Sequence, residues 1–131
     1  MKSVLDGGQK ELRSRARSFR YAFQGWAYVL RTQHNTWIHA LASVSVLALA
    51  FWLRLSRGDW AILLLTIMAV WVAEFFNTAL EAVVDMAMPR PHPLAKIAKD
   101  VAAAAVLVAA VGAVLIGLLI LGPPLWSRLL G

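Results

Sequence analysis

Val101 to Leu121 is a run without a single charge, "VAAAAVLVAAVGAVLIGLLIL". A segment that long and apolar crosses a bilayer as one helix of roughly 20 residues. Only a helix satisfies every backbone N–H and C=O within the segment when no water is near. Two further runs have the same character. "TWIHALASVSVLALAFWL", Thr36 to Leu53, is short, but Trp37 and Trp52 flank it and suit the two interfaces. Apolar character resumes at Trp60 and holds to about Val84. The expected fold is therefore an all-α membrane protein with three transmembrane helices at residues 36–53, 60–84 and 101–121. A composition that is 60% hydrophobic supports this reading, because a soluble domain of 131 residues needs much less.

The net charge of +6 has a place in that picture. Lys2, Lys10, Arg13, Arg15, Arg17, Arg20 and Arg31 all precede the first span, and cations flanking a span report the cytoplasmic side and attraction to anionic lipid. No nucleic-acid partner is expected. Leu12, Ala16, Phe19, Phe23, Trp26 and Leu30 fall within roughly 80° of one helical face, while Arg13, Arg17, Arg20 and Arg31 take another. Residues 10–31 thus read as an amphipathic helix lying in the interface, either a plain anchor or a basic lid over an anionic substrate. The first thirty residues lack the continuous apolar core of a cleavable signal peptide. With no cysteine, thiolate metal sites, thiol nucleophiles and disulfides are excluded.

The loop between the second and third spans, "MAMPRPHPLAKIAK", carries Arg90, Lys96 and Lys99 among prolines that stop helix propagation. Together with the basic N-terminus it points into the cytoplasm, which leaves the Arg54–Asp59 turn and the C-terminus outside. Asp100 stands where it could cap the third span. Gly112 and Gly117 offer close backbone approach between helices.

Against this background "AEFFNTALEAVVD", Ala73 to Asp85, puts three carboxylates in a spanning segment, where ionisable groups are costly and usually mark a site. Glu74, Asn77, Glu81 and Asp85 share about 80° of arc and extend over roughly 16 Å of axis. Such a stripe, running inward from the headgroup level, suits a reaction between a water-soluble reagent and a lipid headgroup. Glu81 could hold Mg²⁺ with substrate phosphate oxygens, and Glu74, deeper and drier, suits a general base toward an alcohol. Asn77 could orient either partner. Structural pairing of Glu74 and Glu81 with a cation of another subunit is the competing reading, and the polar face requires either protein or water, so an oligomer is expected. Lys99 and His92 suit polyphosphate binding as point-charge donors. No Walker-type "GxxxxGK[ST]" is present, so any nucleotide binds without a soluble nucleotide fold.

"EFFNTALEAVVD" followed after a short loop by "AKDVAAAAVL", with "YAFQGWAYVLRTQHNTWIH" upstream, resembles the bacterial integral-membrane diacylglycerol kinase and undecaprenol kinase family. The resemblance covers roughly Arg20 to Val111. It implies a homotrimer of three-span subunits in the bacterial cytoplasmic membrane, with sites between subunits that use Mg-ATP to phosphorylate a lipid alcohol. It also implies roles: catalytic base for Glu74, metal ligand for Glu81, active-site asparagine for Asn77, nucleotide-site pair for Lys99 and Asp100, and nucleotide contacts for His92 and Tyr21. One position departs. The family often carries a second metal-binding glutamate where this chain has Gln33, which keeps a carbonyl ligand and removes a charge. "NTALE" and "HPLAKIAKDVAA" look more like the undecaprenol kinase branch than the diacylglycerol kinase branch. Two alternatives stand beside the kinase: a catalytically weakened relative that binds nucleotide or lipid, and a small ion-coupled transporter using Glu74 and Glu81 as a relay.

Overall fold

The computed structural model describes residues 2–131, with side chains from residue 15 onward except those of residues 16 and 34. The expectations for Lys2, Lys10, Leu12, Arg13 and Ala16 concern side chains outside the described residues. The chain divides after His34 into two units.

The first unit is one helix, α1 (Lys2–Thr32). It begins eight residues before the expected start at residue 10, because amphipathic periodicity marks only the part of a helix that has an apolar face to present. Phe19, Phe23 and Trp26 are exposed, as are Arg15, Arg17, Arg20 and Arg31. Arg31 in the last turn faces the negative end of the helix dipole, and Thr32 Oγ1 donates to the Tyr28 carbonyl at 2.8 Å.

The second unit holds α2 (His34–Leu53), α3 (Arg57–Ala87) and α4 (Pro93–Leu130), and all three are long and apolar enough to cross a membrane. Each stop has a local cause. At the end of α2, Arg54 takes a left-handed φ of 55°, its N–H donates to Phe51 O, and Leu55 N–H reaches back to Ala50 O. That is the Schellman pattern, and its usual apolar contact is made as Leu55 packs against the cluster containing Ala50. Ser56 then caps α3, accepting from Asp59 N–H at 3.2 Å while donating to the Asp59 carboxylate at 2.7 Å. Pro89 follows directly on the C-cap residue Met88.

The loop between α3 and α4 is shorter than expected. His92 Nδ1 accepts from Leu94 N–H and caps α4, with Pro93 in the first turn, where its missing N–H costs nothing. Asp100 is therefore not a cap: it lies two turns inside α4, and Lys96 and Lys99 are helical residues rather than loop residues. Helices α3 and α4 also outrun their apolar runs, α4 passing through Pro123 and Pro124.

Backbone approach is closest between α3 and α4. The buried apolar cluster sits next to the Arg54–Ser56 turn, where Ala50 and Leu53 of α2 meet Leu63 of α3 and Leu121 of α4. In spanning helices such a cluster is held by close packing rather than by removal from water. Arg128 lies over the Trp52 ring, 5.0 Å from its centroid, and ties the last turns of α4 to α2. Toward the other end of the bundle α2 meets α3 through polar side chains instead. Gly112 and Gly117 make no close approach within the chain, since a Cβ at either would meet open space. Most large apolar side chains, such as Phe76, Leu107 and Leu118, stay exposed on a single chain, as helices facing lipid or further copies leave them.

Candidate functional site

The stripe on α3 is present, and its upper end is dry. Glu74 is only 3% exposed, yet it is not alone, and among the described residues it pairs with no lysine or arginine. Thr36 Oγ1 of α2 donates to Glu74 Oε1 at 3.2 Å, and His39 Nε2 stands 3.9 Å from Oε2. Further along the same face, Trp71 Nε1 donates to Ser43 Oγ, and Ser43 Oγ donates to the His39 carbonyl. Thr78 Oγ1 bonds back to the Glu74 carbonyl at 2.9 Å, so α3's own hydroxyl serves its backbone and not the carboxylate. A hydrogen bond to a carboxyl oxygen offsets part of the cost of placing the group at this depth.

One turn further along, Asn77 Nδ2 donates to Glu81 Oε1 at 3.3 Å. Asn77 is 8% exposed, and its Oδ1 is buried with no hydrogen-bond partner among the described residues. A buried carbonyl oxygen left without a donor or cation costs about 1–3 kcal/mol. The oxygen is thus available to a donor or cation from outside the described residues. Glu81 beside it is half-buried.

At its far end the stripe opens into a concavity of ≈ 700 Å³ formed between the last turn of α3 and the first turns of α4. Asp85, Arg90, His92, Lys96, Lys99 and Asp100 line it. That size fits a small ligand, and the cationic lining fits a phosphorylated one. Lys99 Nζ reaches across to Asp85 Oδ1 at 2.5 Å, whereas Lys96 pairs with Asp100 along α4 itself. Lys99 and Asp100, adjacent in sequence, thus face different partners.

Of the residues singled out from sequence, Glu74, Asn77 and Glu81 share one face of α3, and His92, Lys99 and Asp100 share the concavity. Tyr21, which is exposed, and Gln33, which follows α1 with its N–H bonded to Val29 O, belong to the first unit. Thr36 and His39 were missed. The signal existed: Thr36, His39 and Ser43 recur at i, i+3 and i+7, the spacing of Glu74, Asn77 and Glu81, and so mark a polar face on the first span. Among the described residues no cluster of three or more acidic, histidine or cysteine side chains could hold a metal by itself.

The family model described as prokaryotic diacylglycerol kinase matches residues 20–121, a stretch that includes every residue of this site. A diacylglycerol kinase of Synechocystis sp. is 49% identical over 111 residues, covering 84% of this chain and 63% of that relative. An undecaprenol kinase of Bacillus subtilis is 43% identical over 117 residues, 89% of this chain and 95% of the relative. A diacylglycerol kinase of Escherichia coli is 35% identical over 88 residues, 67% and 69% respectively.

Proposed function

Because the chain belongs to the prokaryotic diacylglycerol kinase family, whose named relatives are lipid kinases, we propose that it transfers the γ-phosphoryl group of ATP to the hydroxyl of a membrane lipid alcohol. The reaction takes place at the cytoplasmic face of the bacterial inner membrane. The N-terminus and the Met88–His92 loop lie on that side, as the weight of Lys and Arg in these segments suggests. The observation that carries the reading is the graded stripe: a buried carboxylate at one end, a basic concavity at the other, and Asn77 and Glu81 between them.

Each part has a task. The concavity receives the polyphosphate, with Lys99 and His92 as charge donors and Asp100 beside them. Tyr21 extends the nucleotide contacts, a role that rests on the resemblance alone. Glu74 accepts the proton of the lipid hydroxyl, and Asn77 holds Glu81 in place. The Glu81 carboxylate and the unsatisfied Asn77 Oδ1 are hard oxygen donors of the kind Mg²⁺ takes alongside substrate phosphates, so the residues present fit the ion. Gln33 adds a carbonyl in the place where the family often has a carboxylate. When bound, Mg²⁺ supplies neutralisation of the charge on the transferred phosphoryl group. The assembly is a homotrimer, in keeping with the apolar surface one chain leaves uncovered.

Undecaprenol is preferred to diacylglycerol. Support comes from the "HPLAKIAKDVAA" segment and from the match to the Bacillus relative along nearly its whole length. The test is transfer of labelled γ-phosphate from ATP to each lipid in mixed micelles, with Glu74→Gln as control. Labelled undecaprenyl phosphate that disappears in the variant is the expected result. No product on either lipid, from folded protein with ample Mg²⁺, sinks the proposal.

A further inference from the structure

A general base must present one oxygen in one direction, and α3 by itself does not impose this on Glu74. The terminal torsion of a glutamate is broad, so an untethered carboxylate turns freely. Thr78, the hydroxyl nearest along the helix, is committed to the backbone. The same is true of Thr32, Ser43 and Thr66, whose hydroxyls all donate to the carbonyl four residues back. Thr36 departs from that habit. It lies in the first turn of α2, where no carbonyl of its own helix stands four residues back, and its hydroxyl crosses to Glu74 Oε1 instead. Its exposure is 0%. Nothing about packing in an apolar bundle calls for a hydroxyl there, because a buried polar group without a partner is a cost.

We infer that Thr36 is a positioning residue for the base, a deepening that rests on the kinase reading above: its hydroxyl pins Oε1 and leaves Oε2, which has only His39 Nε2 at 3.9 Å beside it among the described residues, as the reacting oxygen. In the step so arranged, the lipid O–H bond breaks and its proton moves to Glu74 Oε2. The lipid oxygen forms a bond to the γ-phosphorus while the bond from that phosphorus to the β,γ-bridging oxygen breaks. Its electron pair leaves with ADP. Throughout, Oε1 keeps the Thr36 hydrogen bond, which stops the carboxyl from rotating its proton-accepting oxygen away.

The test compares Thr36→Val, which keeps the shape and removes the donor, with Thr36→Ser, which keeps the donor, in the full chain in mixed micelles. Glu74→Gln runs alongside. Thr36→Val should lower kcat by about 10- to 100-fold, the loss expected when a hydrogen bond to a charged group is removed, while KM for ATP stays unchanged. Thr36→Ser should stay within a few-fold of the parent. If Thr36→Val does not fold, as judged by thermal unfolding and size in detergent, Thr36→Ala gives the same comparison without added bulk. Full kcat in the variant lacking the hydroxyl, alongside an inactive Glu74→Gln, overturns the positioning role and leaves the kinase reading standing. An equal loss in the serine variant, or an effect confined to KM for ATP, also overturns it. Undiminished transfer by Glu74→Gln overturns the assignment of the base on which the inference rests.

Discussion

Glu74 and Asp85 lie on one stripe of one helix, eleven residues apart, yet their surroundings differ in kind. Glu74 is buried and held by a hydroxyl from α2, with a histidine beside its second oxygen. The Asp85 side chain is 65% exposed and meets a lysine that is itself 36% exposed. In a dry place a single directed hydrogen bond sets the orientation of a charge, whereas in water an ion pair is screened and exchanges easily. On the proposed kinase reading, depth along α3 sorts the functions: fixed geometry where a proton would move, replaceable charges where a polyphosphate would come and go. On that reading a nucleotide phosphate arriving at Lys99 would displace Asp85 at little cost, since both groups are exposed.

The largest effect should follow from damage to the dry end. Glu74→Gln keeps volume and polarity and can still accept from Thr36 through its carbonyl, so the helices should stay packed. Transfer should nonetheless fall by about 10²- to 10⁴-fold, the usual contribution of a positioned general base. Initial rates at saturating ATP measure it. A loss under tenfold would mean that the buried carboxylate is structural, and the contrast with Asp85 would lose its meaning.

At the wet end the effect should be smaller and should fall on binding. Lys99→Met removes one cation from the concavity lining, and KM for ATP should rise by about tenfold with kcat nearly kept, as loss of one charge-assisted contact predicts. Raising the salt concentration should raise KM for ATP in the parent more than in the variant. A kcat defect as large as that of Glu74→Gln would show that Lys99 acts in the chemistry, and the division between the two ends would have to be redrawn.

How far the sequence could be read follows the same division between local and distant causes. The three spans, the α3 stripe and the basic loop were legible because uninterrupted apolar length, helical spacing and proline placement are properties of neighbouring residues. Helix α4 starts eight residues before the apolar run at Val101, because Pro93 with a His92 cap begins it within the charged stretch, where apolar length gives no signal. Thr36 and His39 went unread for a different reason. Their meaning depends on which face of α2 meets α3, and in a span that is apolar nearly all round the sequence marks that face only by three polar residues. The competing reading for Glu74, a cation from another subunit, concerns a boundary that one chain does not contain; within the chain a neutral hydroxyl of α2 meets it.

Gln33 sharpens the comparison from another side, because it places an amide where, by the resemblance, relatives often have a metal-binding glutamate. If the amide there stands in for a carboxylate, Gln33→Glu should lower the Mg²⁺ concentration needed for half-maximal rate by several-fold, since an added carboxylate strengthens a hard-cation site. A rise in kcat at saturating Mg²⁺ of an order of magnitude or more would instead identify the parent as a weakened relative. An unchanged Mg²⁺ dependence would remove Gln33 from the metal site. The measurement is a Mg²⁺ titration of initial rate at fixed free ATP.

The smallest effect belongs to the Asp85–Lys99 pair as a contributor to stability. Its short separation invites the view that it clamps α3 to α4, but the exposure of both groups argues otherwise. Exposed pairs couple by about 0.2–1 kcal/mol, and α3 and α4 are also held together by their own packing. A double-mutant cycle of Asp85→Asn and Lys99→Met, read by unfolding in detergent, should therefore return a coupling below about 1 kcal/mol. A coupling several times larger would make Lys99 a structural residue that phosphate could not release. The concavity would then have to recruit Arg90 or Lys96 in its place, and the cheap exchange of charge at the wet end would no longer separate it from the fixed geometry at Glu74.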